Sequence, residues 1–278
     1  CNLYLHDKAK HCKQSTLDKD KNRIEHYWSA LNDFRISSIS APQLRKLDRE
    51  IIWPSAKTRN NALSNLKGVF KFANVEMMID SNPTVSLQNS KHQKKEIDAF
   101  SLEEKESLLS KLEGHYQLFY LIMFEIGART GEVIGMRWSD IQGDTINIKR
   151  SIYKGVESGT KTHATRSVIM SDRLIREIAK HTPTRFAGKH IFINRHGEPY
   201  KSERALTEVF KRACKAAGIR YRRPYYCRHS YATHSLMKGV NMGFVARQMG
   251  DRLETVQQNY ASWISGDQDR LEMAKFNS

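Results

Sequence analysis

Two arginines and a tyrosine stand out because of the residues around them. Arg129 follows an apolar stretch and lies between two glycines, in the segment GARTGE at 127–132. Arg228 lies at a predicted helix start, among the bulky groups of PYYCRHS at 224–230. Fixed guanidinium groups near helix amino ends bind oxyanions. A lone tyrosine, Tyr260, follows the segment MGD at 249–251 near the end of the sequence. These residue types therefore indicate chemistry on an oxyanion.

Structural roles are also open for these side chains. Arg129 could cap the carboxyl end of a helix or pair with Glu132. We expect His229 to be a buried structural histidine bonded to the backbone, and His234 to be a residue of a helix face. Any one of these segments alone is therefore weak evidence for a catalytic site.

Other catalytic signatures are missing from the sequence. It has no glycine-rich phosphate loop followed by Lys-Ser/Thr, no Gly-x-Ser-x-Gly motif and no paired-histidine zinc helix. The cysteines have neither the spacing of a zinc module nor the number that a disulfide scaffold needs. They are Cys1, Cys12, Cys214 and Cys227. The sequence therefore predicts no cofactor, no metal ion and reduced thiols.

The charge of the chain indicates a polyanionic partner. The 278 residues include 46 Lys and Arg against 30 Asp and Glu, a formal net charge of +16. Both parts are basic, since residues 1–100 hold 17 basic and 11 acidic side chains and residues 101–278 hold 29 and 19. Nucleic acid is the commonest polyanion, although such a charge can also serve solubility alone.

Membrane insertion and secretion are not indicated. The longest apolar run, at 118–124, is far shorter than the ~18–20 residues that cross a bilayer. The amino-terminal segment CNLYLHD lacks a basic and then apolar signal pattern and has no initiator Met. We therefore expect a fragment of a longer, cytoplasmic protein.

The first hundred residues show helical periodicity only. Ser15 with Asp18 resembles a capping box, and Ser40 with Pro42 begins a second helix. A third and longest helix is predicted over 58–78. A polar segment follows, so we predict a helical domain at 1–81 and a linker at 82–99.

The remainder, 100–278, is predicted to be a larger domain that is mostly helical. A capping box of Ser101 with Glu104 precedes an almost wholly apolar helix at 116–126. Alternating segments predict two short strands on either side of a glycine-containing loop at 154–163. The strands are 144–149 and 165–170, and the later helices are 202–217, 224–238, 242–249 and 254–263. The fold class is therefore mostly α with a small antiparallel β-sheet.

Three segments in this order resemble the signature of the tyrosine recombinases, or phage integrases. They are ARTGE at 128–132, Tyr225-x-x-Arg228-His229, and MGD at 249–251 with Tyr260 nine residues after the aspartate. The resemblance extends over nearly the whole chain. It implies that 1–81 is the core-binding domain of that family, which grips DNA, and that 100–278 is its catalytic domain.

The resemblance also implies roles for individual residues. Arg129 and Arg228 would hold the non-bridging oxygens of the scissile phosphate, and Tyr260 would be the nucleophile. Lys161 matches the lysine of the family's β-hairpin that protonates the leaving 5′ oxygen. Lys154 lies in the same connection and remains an alternative to Lys161.

Two positions depart from the family pattern. Tyr225 stands where the family usually has His, and a neutral phenol is a poor base. Asp251 stands where the family has His or, less often, Trp. A carboxylate there would repel a phosphate unless it were protonated or paired with an arginine, and it could instead act as a base toward Tyr260.

Membership of this family would imply a site-specific recombinase of a phage or other mobile element. It would cut and rejoin double-stranded DNA through a covalent 3′-phosphotyrosine, as a C-shaped clamp and as four protomers on two paired sites, in a bacterial cell or a phage-infected host. Two alternatives stay open. One is a type IB topoisomerase, and the other is a sequence-specific DNA-binding protein with weakened catalysis.

Overall fold

The structure, a computed structural model, describes residues 1–12, 14–91, 96–159, 165–182, 189–263 and 273. It divides into two compact units, Cys1–Lys95 and Glu96–Ser278. The described helices are α1 Asn2–Ala9, α2 Gln14–Tyr27, α3 Ala41–Glu50, α4 Ala56–Val75, α5 Leu102–Leu109, α6 Gly114–Ile126, α7 Thr130–Ile134, α8 Asp172–His181, α9 Arg204–Ala216, α10 Tyr225–Met237, α11 Met242–Met249 and α12 Leu253–Tyr260. The described strands are β1 Ile141–Gln142, β2 Thr145–Ile148, β3 Arg150–Tyr153, β4 Val156–Gly159 and β5 Arg166–Ile169. Short 3₁₀ turns lie at 29–31, 36–38, 83–86, 138–140 and 261–263.

The first unit is built from α1 to α4 around one apolar core. Trp28 is buried there, and its indole N–H donates a 3.0 Å hydrogen bond to the Ala62 carbonyl oxygen. Ser40 and Gln43 form a reciprocal capping box at the start of α3, which confirms the predicted helix start. The capping box predicted for Ser15 is wrong, because α2 begins at Gln14 and Ser15 lies inside the helix.

The division between the two units falls inside the segment 82–99. Up to Ser90, this segment lies against the first unit. Leu87 is buried in its core, and the side-chain amide of Asn60 accepts from the Ser90 N–H at 2.9 Å and donates to the Ser90 carbonyl at 2.8 Å. Phe100 is fully buried in the core of the second unit.

The core of the second unit surrounds α6, whose side chains are buried on almost every face, as its composition predicts. Helices α8 and α10 pack against it. The two predicted strands appear as β2 and β5, which pair antiparallel with Ile146 opposite Val168, and β1 pairs with the other edge of β2. The mostly helical fold with a small antiparallel sheet is therefore confirmed.

The sequence did not predict α7, α8, β1 or the hairpin of β3 with β4. Part of the segment predicted as a loop at 154–163 is strand, because β4 covers Val156–Gly159 and pairs with β3. None of the described helices is long and apolar enough to span a membrane.

Candidate active site

The position of Arg129 follows from the sharp end of α6. Gly127 adopts the left-handed conformation, with φ of 62°, and closes the helix. A Cβ atom at this glycine would lie 2.6 Å from Cδ1 of Tyr231 and 3.1 Å from Cγ of Met249. The turn therefore needs glycine both for its backbone angle and for space. It places Arg129 immediately before α7.

Arg129 lies at the edge of the site and contacts two carboxylates. Its Nη1 donates to Oε1 of Glu132 at 2.9 Å, and its Nη2 donates to Oδ1 of Asp251 at 2.5 Å. Burial opposes the positive charge, but Glu132 and Asp251 outweigh it, so the pKa of the Arg129 guanidinium is raised. The pairing with Glu132 that the sequence left open is present. It occurs together with a second pairing to Asp251.

Arg228 lies in the first turn of α10 and is the largest fully buried side chain among the described residues. Its Nη1 donates to the carbonyl oxygens of Gly127 and Met249, the latter at 2.8 Å. Its Nη2 donates to Oδ2 of Asp251 at 2.5 Å. The guanidinium is thus held by the ends of two other helices, α6 and α11.

Asp251 bridges the two arginines, with one carboxylate oxygen on each guanidinium. It directly follows Gly250, a left-handed residue with φ of 67° that ends α11. The structure therefore stabilises the anion at this position by pairing it with arginine. The carboxylate is charge-compensated and shares both guanidiniums.

A second buried carboxylate, Glu132, lies beside the Asp251 bridge and pairs with both Arg129 and Arg166. Its side chain is 1% exposed and receives Nη2 of Arg166 at 2.7 Å and Nη1 at 3.3 Å. The Nε of Arg166 donates to the Gln248 carbonyl at 3.0 Å, which ties β5 to the end of α11. Burial raises the pKa of Glu132, but Arg166 and Arg129 outweigh burial and lower it overall.

Glu132 and Arg166 were not predicted from the sequence to be parts of one cluster. The cluster contains three arginines and two carboxylates: Arg129, Arg166, Arg228, Glu132 and Asp251. These five side chains carry a net charge of +1. Such an excess, in a place with little solvent, favours the binding of an anion.

Tyr260 ends α12 and is 3% exposed. It packs with Val245, Met249 and Val256 in a small core formed by α10, α11 and α12. Burial raises the pKa of its phenol, and the charge of Arg228 opposes that effect. The phenol is therefore protonated near neutral pH.

The Tyr260 hydroxyl lies 2.6 Å from Nδ1 of His229. The prediction that His229 bonds to the backbone is wrong, because this ring nitrogen faces the phenol of another helix. Burial lowers the pKa of His229 to about 4, and the neighbouring Arg228 adds to that effect while Asp251 opposes it. The only sequence signal for this role was the place of His229 directly after Arg228.

Tyr225 begins α10 and is 44% exposed. Its ring packs edge-on against His229, with ring centroids 5.0 Å apart. Lys161 lies outside the described residues. Lys154 lies in the turn of the β3–β4 hairpin with φ of 49°, and its Nζ is 5.7 Å from the ring centroid of Tyr153.

Within the described ranges, no group of three or more His, Cys, Asp or Glu residues is arranged to hold a metal ion. The polar groups that converge here are three guanidiniums, two carboxylates paired with them, a neutral imidazole and a phenol. An anionic ligand is what this combination suits, because positive charge is in excess and the Tyr260 phenol lies nearby.

Comparison with known proteins identifies a family for the chain. The model of the phage integrase family matches residues 91–263. The chain is 26% identical to the putative defective protein IntQ of Escherichia coli over 81% of its own length and 64% of that protein. It is 24% identical to the prophage integrase IntR of Escherichia coli over 81% of the chain and 61% of that protein. The chain thus spans less than two thirds of either protein.

Three further likenesses cover a larger share of the compared protein. The tyrosine recombinase XerD of Staphylococcus aureus is 24% identical over 95% of the chain and 92% of that protein. The fold resembles that of the Tn1549 transposon integrase in complex with transposon right end DNA, with a TM-score of 0.77, 19% identity and coverage of 99% and 98%. It also resembles a λ integrase tetramer bound to a Holliday junction, with a TM-score of 0.74, 19% identity and coverage of 90% and 76%. The family expected from the three sequence segments is confirmed: the chain belongs to the phage integrases, the tyrosine recombinases.

Proposed function

We propose that the chain is a site-specific recombinase that cuts and rejoins duplex DNA through a covalent link to Tyr260. The observation that carries the proposal is the bridge of Arg129, Asp251 and Arg228 beside Tyr260. It presents two fixed guanidiniums to two oxygens of one anion, close to a buried phenol. This is the arrangement that attack on a phosphodiester requires.

A phosphodiester can replace the Asp251 carboxylate in this arrangement. Its two non-bridging oxygens resemble the two carboxylate oxygens in charge and spacing, so each can accept from one Nη2 group. Arg129 is 20% exposed in its side chain, whereas that of Arg228 is 0% exposed. DNA therefore reaches the site on the Arg129 side, and Asp251 must turn aside or share its donors.

The proposed reaction is an in-line exchange at phosphorus. The Tyr260 hydroxyl gives its proton to a base as its oxygen forms a bond to phosphorus, the bond from phosphorus to the 5′ oxygen breaks, and the leaving oxygen takes a proton from an acid. Negative charge that grows on the phosphoryl oxygens is stabilised by Arg129 and Arg228. The phosphotyrosine keeps the energy of the broken bond, so a 5′ hydroxyl can reseal the strand without ATP.

Lys161 is proposed as the acid that protonates the leaving 5′ oxygen, with Lys154 as its alternative. Tyr225 is proposed to face the DNA backbone as a hydrogen-bond donor, because it is exposed beside His229. Asp251 is proposed to hold both arginines in place until the phosphate arrives.

Double-stranded DNA with a specific recombination site is the proposed substrate. Residues 1–95 include 17 basic and 9 acidic side chains, and residues 96–278 include 29 and 21. Both units are therefore proposed to contact phosphates. Four copies on two paired sites are proposed, with support from the λ integrase tetramer to which the fold is similar.

A selection for covalent adducts tests this proposal and identifies the DNA site in the same experiment. Nicked duplexes of randomised sequence are incubated with the native chain and with Tyr260→Phe, and DNA that stays bound in detergent is recovered and sequenced. We expect one enriched sequence with the native chain, no adduct with the variant, and DNA attached to Tyr260 in peptide mapping.

Three other results would change the assignment. An adduct on a different tyrosine contradicts the role of Tyr260. Relaxation of supercoiled plasmid without exchange between two copies of the enriched site indicates a type IB topoisomerase. Sequence-selective binding without any adduct indicates a DNA-binding protein that has lost cleavage, with Asp251 as a permanent occupant of the arginines.

A further inference from the structure

The contact between His229 and Tyr260 joins two helices at the reacting atom. Nδ1 of His229 lies 2.6 Å from the phenol oxygen that is proposed to attack DNA. The imidazole ring also packs against Tyr225 and Tyr226, with centroids 5.0 and 5.2 Å away. Its position is thus fixed on several sides, and its nitrogen is already within proton-transfer distance.

The charged and titratable groups around His229 define its protonation state. They come from α10, from the end of α11 and from α12: Arg228, Tyr225, Tyr226, Asp251 and Tyr260. Burial and the adjacent Arg228 lower the pKa of His229 to about 4, against the opposing charge of Asp251. The imidazole is therefore neutral near pH 7.

The phenol and the imidazole have complementary roles in this contact. Tyr260 retains its proton near pH 7, because burial raises its pKa. In the neutral ring of His229, one nitrogen carries a proton and the other has a free lone pair. When the free lone pair is on Nδ1, that nitrogen can accept the proton of Tyr260. A phenol that donates to Nδ1 keeps its own lone pairs free to attack phosphorus.

Two other residues could take the proton, and their contacts disfavour both. Asp251 has each carboxylate oxygen on a guanidinium, at 2.5 Å in both cases. Tyr225 is a neutral phenol and a poor acceptor of a proton from another phenol. His229 is directly on the reacting oxygen and is a better base than Tyr225.

We propose, on the basis of the function proposed above, that His229 is the general base that removes the proton of Tyr260. As the bond from the phenol oxygen to phosphorus forms, the O–H bond breaks and an N–H bond forms at Nδ1. The bond from phosphorus to the 5′ oxygen breaks in the same displacement. On rejoining, Nδ1 returns the proton to the phenol oxygen.

The bound phosphodiester strengthens this role. It brings negative charge into the site, and further charge grows on its oxygens during attack. That charge favours the imidazolium form of His229 when the proton must move. The base is therefore weak in the free protein and becomes stronger with DNA in place.

The test compares two replacements of His229 on the sequence enriched by adduct selection. His229→Ala removes both the base and the hydrogen-bond acceptor, whereas His229→Gln keeps an acceptor that cannot take a proton. His234→Gln is the matched control, on the same helix and half-buried but outside the described cluster. Gel shifts measure DNA binding, and single-turnover cleavage is followed from pH 5 to pH 9.

We expect both His229 variants to bind DNA as the native chain does and to cleave at least about 100-fold more slowly, the usual contribution of a general base. The native rate should rise with pH through one ionisation that both variants lack. Added imidazole should restore cleavage by His229→Ala. His234→Gln should keep the native rate and pH profile.

Several results would overturn this role for His229. Native-speed cleavage by His229→Gln would mean that the residue only positions the phenol. A pH profile that persists in the His229 variants and disappears in Tyr225→Phe or Asp251→Asn would move the base to one of those residues. Nitrogen NMR of the free protein that finds the neutral proton of His229 on Nδ1 would also contradict it. Absence of any adduct from the native chain would contradict the proposed function itself and is therefore a separate result.

Discussion

Each unit of the chain contains a carboxylate that pairs with arginine, and the two pairings differ in kind. In the first unit, Asp48 receives Nε of Arg59 at 2.9 Å and its Nη2 at 2.6 Å. The remaining Nη1 of Arg59 donates to Ser90 Oγ at 2.7 Å and to the Gln88 carbonyl at 3.1 Å. One acid faces one arginine, and the charges of this pair cancel.

In the second unit, Asp251 takes one donor from each of two arginines. Neither arginine is neutralised by Asp251 alone, and the whole cluster with Glu132 and Arg166 keeps its charge of +1. A matched pair such as Asp48 with Arg59 gains little from another anion, whereas we propose that the two arginines on Asp251 exchange its carboxylate for a phosphate. Excess positive charge, rather than burial, therefore separates a binding site from a structural ion pair.

The largest expected difference is between removal of Arg228 and removal of Arg59. Arg228→Ala should slow single-turnover cleavage by about 1,000-fold, because one of the two groups that stabilise the transition-state charge is lost. Arg59→Ala should keep the rate of cleavage at saturating protein within about threefold of the native rate, because the Asp48–Arg59 pair is not part of the proposed phosphate site. Equal losses in the two variants would mean that the comparison between the pairs is wrong.

Removal of each carboxylate gives the next effect. Asp251→Asn and Asp48→Asn should each lower the free energy of unfolding by about 3 kcal/mol, because each replaces the negative charge that faces a mostly buried guanidinium with a neutral amide. Phosphate at tens of millimolar should raise the melting temperature of Asp251→Asn more than that of Asp48→Asn, because the two freed guanidiniums bind the ion. Calorimetric scans with and without phosphate measure this. An identical phosphate effect in both variants would contradict an anion site at Asp251.

A conservative change at Arg166 should have a smaller effect. Lys cannot donate to both oxygens of Glu132 and to the Gln248 carbonyl, so Arg166→Lys should loosen the support of Arg129 and slow cleavage about tenfold. The control is Arg173→Lys, in an exposed pair with Glu106 whose side chains are 44% and 52% exposed. Exposed pairs contribute little, so the control should cleave at the native rate.

The smallest expected effect is on the pH dependence of stability. The pKa of His229 is about 4 in the folded chain against an ordinary value of 6.5. Below pH 6.5 the unfolded chain therefore gains a proton that the folded chain refuses, and stability falls as pH decreases toward 4. In His229→Gln, the free energy of unfolding should fall by about 1 kcal/mol less than in the native chain between pH 7 and pH 4.5. The difference is small because the site is partly solvated. Denaturant titrations at pH 4.5 and pH 7 compare the native chain with the variant, and an unchanged slope would contradict burial of a neutral His229.

The sequence predicted best what short-range rules control. The start of α3 at Ser40 and the start of α5 at Ser101 have local caps, and the apolar stretch of α6 identifies a central helix. The β3–β4 hairpin was missed because β4 is exposed along most of its length and lacks an alternating apolar pattern. Helix α7 has only five residues, too few for a periodic pattern.

The same limit applies to the site. Arg129, Arg228 and Asp251 could be singled out because motifs carry them, and the structure brings all three together. The partner of His229 could not be read from its own segment, because it depends on the packing of α12, 31 residues later. The tie of Arg166 to Glu132 likewise joins residues 34 positions apart.

The anchoring of Arg228 has a consequence for the direction of the reaction. Carbonyl oxygens at the ends of α6 and α11 hold its guanidinium, so the charge stands in place before DNA arrives. In the proposed reaction, strand cleavage and strand resealing cross the same transition state from opposite sides. A charge fixed in this way accelerates both by the same factor and leaves their equilibrium unchanged. On the function proposed above, Arg228 contributes only speed, and the DNA together with the proposed assembly of copies decides whether a DNA segment is inserted or released.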